Sequence, residues 1–199
     1  SKNINSIILF GIPSKKDEEG LVAIDKNGIV QRAIKEIKKN NKNILVIVDV
    51  CNCQYTTHGH CGTIKDGDVD NDSTLKNLGS QALSLVNAGA DVIAPSDMMD
   101  GRVKYIRDIL DKSNYHKIPI FSYSIKYASS FYGPFRNATD ISTNFTDRKT
   151  YQMSFKSSNE ALREAEMDIK EGVDVIIIKP ALSYLDILYK IKSKYNIPV

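Results

Sequence analysis

The chain has 199 residues, 42% hydrophobic and 26% charged, the balance of a globular domain with room for one sizeable core. A net charge of +3, with basic residues paired only briefly as in Lys15-Lys16 and Lys38-Lys39, argues against a nucleic-acid partner. No apolar run approaches the roughly 18 residues of a membrane span and no signal peptide is visible at the start, so no membrane partner is expected.

In chain order, apolar strand-like runs alternate with helical stripes. Residues 6–12 form the first run, and Ile29, Ala33, Ile34 and Ile37 make one helical face behind it. Residues 44–50 form the second run, followed by Leu75, Leu78, Ala82, Leu85 and Val86 on a helix. Residues 91–95 precede a stripe of Val103, Ile106 and Leu110. Residues 118–123 precede Ala161, Leu162, Ala165 and Ile169, and residues 174–179 precede Leu185, Leu188 and Ile191. Most of the runs are continuously apolar and rich in Ile and Val, as in strands buried on both faces of a parallel sheet. Gly89 and Gly172 stand where helices should end.

The pattern is therefore β-α repeated five times, with a sixth strand opening at Ile197-Pro198-Val199. An α/β fold with a parallel sheet follows, either an open doubly wound sheet or a (β/α) barrel. No G-x-G-x-x-G follows any strand, which weakens the dinucleotide-binding version. Polar residues gather just after the strands: Asp49 with Cys51 and Cys53, Ser96 with Asp97 and Asp100, residues 122–126, and Lys179. In a barrel these ends share one mouth. A full barrel needs about 250 residues, so residues 1–199 are expected to be one partial (β/α)8 TIM-barrel domain, a piece of a longer protein. Two long connections, residues 51–72 and 131–159, have the length of functional loops.

All three cysteines, Cys51, Cys53 and Cys61, fall within eleven residues. Three converging thiolates suit a soft or borderline cation such as zinc and leave a fourth position open for chemistry. His58 and His60 lie between them and stand as further ligands, loop-shaping residues or proton carriers. An odd, tightly spaced cysteine set does not make a secreted disulfide scaffold and fits a reducing, cytoplasmic setting. Lys126 and Lys179 end successive buried runs, where an ammonium is costly unless paired or put to use. Desolvation and a second nearby ammonium both favour the neutral amine, which can attack a ketone and form a Schiff base. Arg136 and Arg148 on the long loop suit a bidentate grip on a carboxylate. The acidic stretch 66–72 lacks the glycine and closing glutamate of a calcium loop, and Asp72 is expected to cap the following helix.

The runs DVCNCQYTTHGHCG, GADVIAPSDMMDGRV, FSYSIKYASSFYGPFR, DRKTYQM and IIIKPALSYLDIL resemble the delta-aminolevulinic acid dehydratase (porphobilinogen synthase) family across essentially the whole chain. The resemblance implies a barrel hydro-lyase that condenses two molecules of 5-aminolevulinate into porphobilinogen, with loss of two waters, in tetrapyrrole (haem) synthesis. It implies that Lys126 and Lys179 are the Schiff-base lysines. Lys179 would hold the substrate that supplies the propionate side, and Lys126 the one that supplies the acetate side. Cys51, Cys53 and Cys61 match the zinc ligands of the cysteine-containing branch, and not the aspartates of the magnesium-dependent one. Arg136, Arg148 and Gln152 match substrate-carboxylate contacts, Asp49 and Ser96 match pocket residues, and Glu164 matches an allosteric magnesium ligand. The resemblance further implies an N-terminal arm and first strand before Ser1, two strands after Ile197, and a homo-oligomer, an octamer in the intact protein. A plastid location stays open beside the cytoplasmic one. The rival readings are a Schiff-base aldolase, with one lysine and no thiolate site, and a non-enzymatic module with a closed four-ligand zinc site.

Overall fold

A computed structural model describes residues 4–138 and 148–199, except for the side chains of residues 136 and 137. Seven strands and six helices occur among the described residues. They are β1 (Ser6–Leu9), α1 (Ile29–Asn40), β2 (Leu45–Val50), the short β3 (Ile64–Lys65) and β4 (Asp68–Val69), and α2 (Asn71–Ala88). Then come β5 (Val92–Pro95), α3 (Arg102–Lys112), β6 (Phe121–Lys126), α4 (Gly133–Ala138), α5 (Ser158–Glu171), β7 (Val175–Lys179) and α6 (Leu185–Lys194).

The long strands are all parallel. β1, β2 and β5 form one sheet, and β6 and β7 another. A single bridge between Ile93 and Ile120 joins the two pieces into one arc, with Ile93 N–H donating to the Pro119 carbonyl at 3.1 Å. The Pro198 carbonyl accepts from Ile176 N–H at 3.0 Å, so the chain end starts to extend the arc beyond β7. The arc does not close into a barrel among the described residues.

Helices cover the outside of the arc because their apolar stripes match its outward residues. Ile34 on α1, Leu78, Ala82 and Leu85 on α2, Ile106 and Leu110 on α3, Ala161 and Ala165 on α5, and Ile191 on α6 join Val46, Val48, Ile93, Ile120 and Ile176 in one core. Gly89 closes α2 with φ 110°, a left-handed turn that favours glycine, as the sequence pattern anticipates. Asp91 and Asp174 sit just before β5 and β7 and tie neighbouring strands together: Asp91 accepts from Val46 N–H at 2.7 Å and Asp174 from Ile120 N–H at 2.8 Å. Their use as acceptors explains why each strand starts one residue later than its apolar run.

Three expectations are corrected. β6 runs from Phe121 to Lys126, not from residue 118 to 123, so Lys126 is on the strand and not beyond it. The preceding Ile118 and Pro119 serve as carbonyl acceptors at the seam. The cap of α2 is Asp70, whose carboxylate accepts from Ser73 N–H at 2.9 Å; Asp72 lies inside the first turn. The 51–72 connection contains a hairpin, β3–β4, turning at Asp66 and Gly67, both with positive φ.

Candidate active site

The C-terminal strand ends converge on one side of the arc. Asp49 comes from β2, Cys53 and Gln54 from the loop after it, Ser96 from the end of β5, Lys126 from β6 and Lys179 from β7. With Phe10, Tyr132, Phe135 and Arg148 they line one small cavity. The two lysines are register partners, because β6 and β7 pair Lys126 directly with Lys179. Side chains opposite each other in a pair project to the same face, so both amines point the same way.

Lys126 is buried and its Nζ donates to the Ser96 carbonyl. Lys179 Nζ lies 4.4 Å from the Phe135 ring centre and 5.4 Å from those of Tyr123 and Tyr132. Burial, and then the Lys126 ammonium, lower its pKa below the ordinary lysine value. Asp49 is buried between them and the thiols. Burial pushes its pKa up to about 6, against the pull of Ser96 and the two lysines. A group titrating there can give or take a proton near neutrality.

The three cysteines are fully or almost fully buried, free, and close enough that their sulfurs all lie within 4.8 Å of one another. Cys51 and Cys53 sulfurs are 3.4 Å apart. Such a cluster shares charge unequally. Hydrogen bonds from Cys51 and Cys53, aided by Arg148, hold Cys61 well below the thiol range. Cys51 is pushed well up by its bonds with Cys53 and Cys61 and by burial. For Cys53 the bond with Cys51 lowers the pKa, but the bond with Cys61 and burial win, taking it up to about 12. The donor set is soft and dry, and it fits a thiophilic cation. His58 and His60 take no part in the cluster. His60 Nδ1 faces the Tyr151 hydroxyl at 3.1 Å, and His58 Nε2 faces the Glu18 carbonyl at 2.9 Å.

The loop is wedged tightly against α2. A Cβ on Gly62 would meet Thr74 Oγ1 at 2.3 Å and Val69 Cγ1 at 2.6 Å, so only glycine lets Cys61 swing in beside its partners. The segment from Arg148 to Met153 closes the same side. Met153 N–H donates to the Lys126 carbonyl at 3.0 Å, and Ala128 N–H to the Met153 carbonyl at 2.9 Å. Arg148 Nη2 donates to the Gly59 carbonyl at 2.8 Å, and the anionic Cys61 nearby raises its pKa despite burial. Arg148 Nε and Gln152 Nε2 are buried donors without an acceptor among the described residues.

The family model for delta-aminolevulinic acid dehydratase matches residues 1–199. The chain belongs to this family. It is 50% identical over 198 residues to the delta-aminolevulinic acid dehydratase of Archaeoglobus fulgidus, covering 100% of this chain and 62% of that one. It is 52% identical over 196 residues to the Bacillus subtilis dehydratase, covering 98% of this chain and 60% of that one. The crystal structure of the Toxoplasma gondii ME49 enzyme, in complex with the reaction product porphobilinogen, superposes with a TM-score of 0.96 at 43% identity, covering 98% of this chain and 57% of that one. The chain therefore spans about three fifths of the length of these relatives.

Most of the residues singled out in the sequence meet at this cavity. Lys126, Lys179, Asp49, Ser96, Cys53 and Arg148 share the cavity. Cys51 and Cys61 stand behind Cys53, and Gln152 lines an adjoining recess with Ser129, Ser130 and Arg148. Arg136 is in α4, but its side chain lies outside the described residues. Glu164 is elsewhere, on α5, in a separate groove with Asp100, Glu160 and Arg163, where burial and then Asp168 raise its pKa. Sequence reading missed Tyr151, whose hydroxyl lies within 3.4 Å of Cys61 N as well as near His60. It also missed the aromatic wall around Lys179. Aromatics are so often core residues that nothing local marks these out.

Proposed function

We propose that this chain carries the catalytic centre of an enzyme that condenses two molecules of 5-aminolevulinate into porphobilinogen, releasing two waters, in tetrapyrrole synthesis. The observation that carries the reading is the pairing of Lys126 with Lys179 across adjacent strands, both lining the cavity beside the three thiols. Each amine attacks the ketone carbon of one substrate and expels water, leaving an imine. An imine gives up an α-proton more readily than a ketone, which allows a carbon–carbon bond to form between the two substrates. Holding both on neighbouring strand positions turns a bimolecular encounter into an oriented one.

The surrounding residues supply the rest. Lys179 is already biased towards the neutral, nucleophilic form. Asp49 lies in the cavity beside both lysines and is tuned to take a proton from the carbon next to an imine. The two unused donors of Arg148 and Gln152 suit a carboxylate, and Arg136 belongs with them by family resemblance. Cys51, Cys53 and Cys61 would hold zinc, which when bound acts as a Lewis acid with an open position. Glu164 stands as a candidate ligand for a regulatory magnesium ion.

Within a chain of the relatives' length, residues 1–199 would form the larger part of a closed (β/α)8 barrel, in a homo-oligomer that the family resemblance makes an octamer. The cytoplasm is the expected compartment, because three touching free thiols need a reducing one. The aldolase reading leaves the thiol cluster without a purpose, and the closed zinc module is disfavoured because the metal-type cluster among the described residues is Cys51, Cys53 and Cys61, with neither histidine in it. The test is a colorimetric porphobilinogen assay on the full-length protein. Product should form, fall on treatment with a zinc chelator, and return with added zinc. Absence of product from well-folded, zinc-replete protein would reject the reading.

A further inference from the structure

A guanidinium lies buried against β6, outside the residues that line the cavity. Arg102, the first residue of α3, is 2% exposed. Its Nη1 donates to the Met99 carbonyl at 2.8 Å. Its Nη2 reaches Ser122 Oγ at 3.0 Å, the Tyr123 carbonyl at 3.3 Å and the Asp168 carboxylate at 3.4 Å. Ser122 Oγ itself donates to Asp168 at 2.8 Å. One side chain thus ties together the loop after β5, strand β6 and helix α5.

Its place on β6 is where the strand is irregular. The β6–β7 register matches Ser122 with Ile176 and then Ile125 with Ile178, so β6 spends one residue more than β7 over this stretch. That is a β-bulge. The extra residue decides the site. With regular pairing from Ser122, Ile125 would stand opposite Lys179, and a one-residue slip turns every later side chain to the other face. Lys126 would then leave the cavity. The β5 side does little to hold the bulge, since the one bridge from β5 among the described residues joins Ile93 to Ile120, before β6 begins.

We propose that Arg102 is a positioning residue for Lys126: its guanidinium grips the bulged backbone of β6 and the loop after β5, and so fixes the amine opposite Lys179. The same loop carries Ser96, whose carbonyl accepts from Lys126 Nζ. The acceptor of the amine and the strand that bears it are therefore fastened to one planar group. A lysine at position 102 would keep the charge beside Asp168 but could not span these acceptors with a rigid fork. The inference rests on the reading that both lysines form imines with substrate.

The test uses the full-length protein with Arg102→Lys and Ser122→Ala, following porphobilinogen formation, melting temperature and borohydride trapping of 5-aminolevulinate on Lys179. Arg102→Lys should lower product formation by about tenfold, the size expected for losing a hydrogen bond to a charged group, while trapping on Lys179 stays within about twofold of wild type. Ser122→Ala should act in the same direction by about threefold, and it decides the matter if Arg102→Lys fails to fold. Unchanged product formation, or a parallel fall in Lys179 trapping, would overturn the inference. Wild-type enzyme that makes product with neither lysine trapped would instead overturn the Schiff-base reading, and this inference with it.

Discussion

Single residues here are tuned by dryness and by each other. Lys179 sits among aromatic rings with a second amine opposite, and both burial and that amine favour its neutral form. Imine trapping on Lys179 is expected to rise with pH, with a midpoint below the 10.5 of an ordinary lysine; a midpoint at or above it would contradict the assigned environment. Cys61→Ser should remove the anionic sulfur that its two partners and Arg148 support, and zinc retained after dialysis, read by elemental analysis, should fall steeply. Asp97 is fully buried, and burial, opposed by Arg102, raises its pKa from 3.8 to about 6. Its folded state therefore holds a proton that the unfolded chain gives up between these values. The stability it contributes is complete below pH 4 and lost as pH rises through 6. A shift of two units corresponds to about 3 kcal/mol, so Asp97→Asn should gain about that much relative to wild type between pH 4 and pH 7 in urea denaturation. The thiols and the lysines could be read from sequence because their chemistry is scarce and their spacing or strand-end placement unusual. Arg102 and Asp168 could not, and Asp97 stood out only as one of the polar residues after β5. A buried charged network is assembled from residues far apart in the chain, and each looks alone like an ordinary surface charge.

Elements were legible where burial was two-sided. Continuous Ile and Val runs gave β2, β5 and β7, and apolar stripes at helical spacing gave five of the six helices. The failures have local causes. The Asp66-Gly67 turn signal was overlooked beside so many acids, which hid the β3–β4 hairpin. Helix α4, six residues long, is too short for a stripe to stand out. The apolar run at residues 118–123 stops short of the end of β6 because Ser122, Ser124 and Lys126 interrupt the apolar pattern along the strand. The apolar stripe of α2 begins at Leu75, later than the helix does, which puts the expected cap at Asp72. Asp70→Ala should lower stability more than Asp72→Ala in chemical denaturation, because it removes the acceptor of Ser73 N–H.

Among the described residues the parallel strands form an arc that is open beside β1 and is met beyond β7 only by the Pro198 carbonyl. β1 pairs on one side only among the described residues, and Ile4 and Ile8 beside that edge are exposed by 60% and 41%. Leu182 after β7 is 85% exposed. Open edges with apolar side chains invite aggregation, so residues 1–199 expressed alone should be poorly stable and make no porphobilinogen, whereas a chain of the relatives' length should be stable and active. The parallel order of the long strands was readable from their apolar runs, and the polar residues after them marked the end of the sheet where the cavity lies. The central claim is that two amines in that mouth each hold one substrate. Borohydride reduction of the full-length enzyme with 5-aminolevulinate, followed by peptide mass spectrometry, tests it most directly. A reduced substrate adduct is expected on both Lys126 and Lys179, with loss of product in Lys126→Met and Lys179→Met. Steady product formation with both lysines replaced, or an adduct confined to other residues, would contradict it.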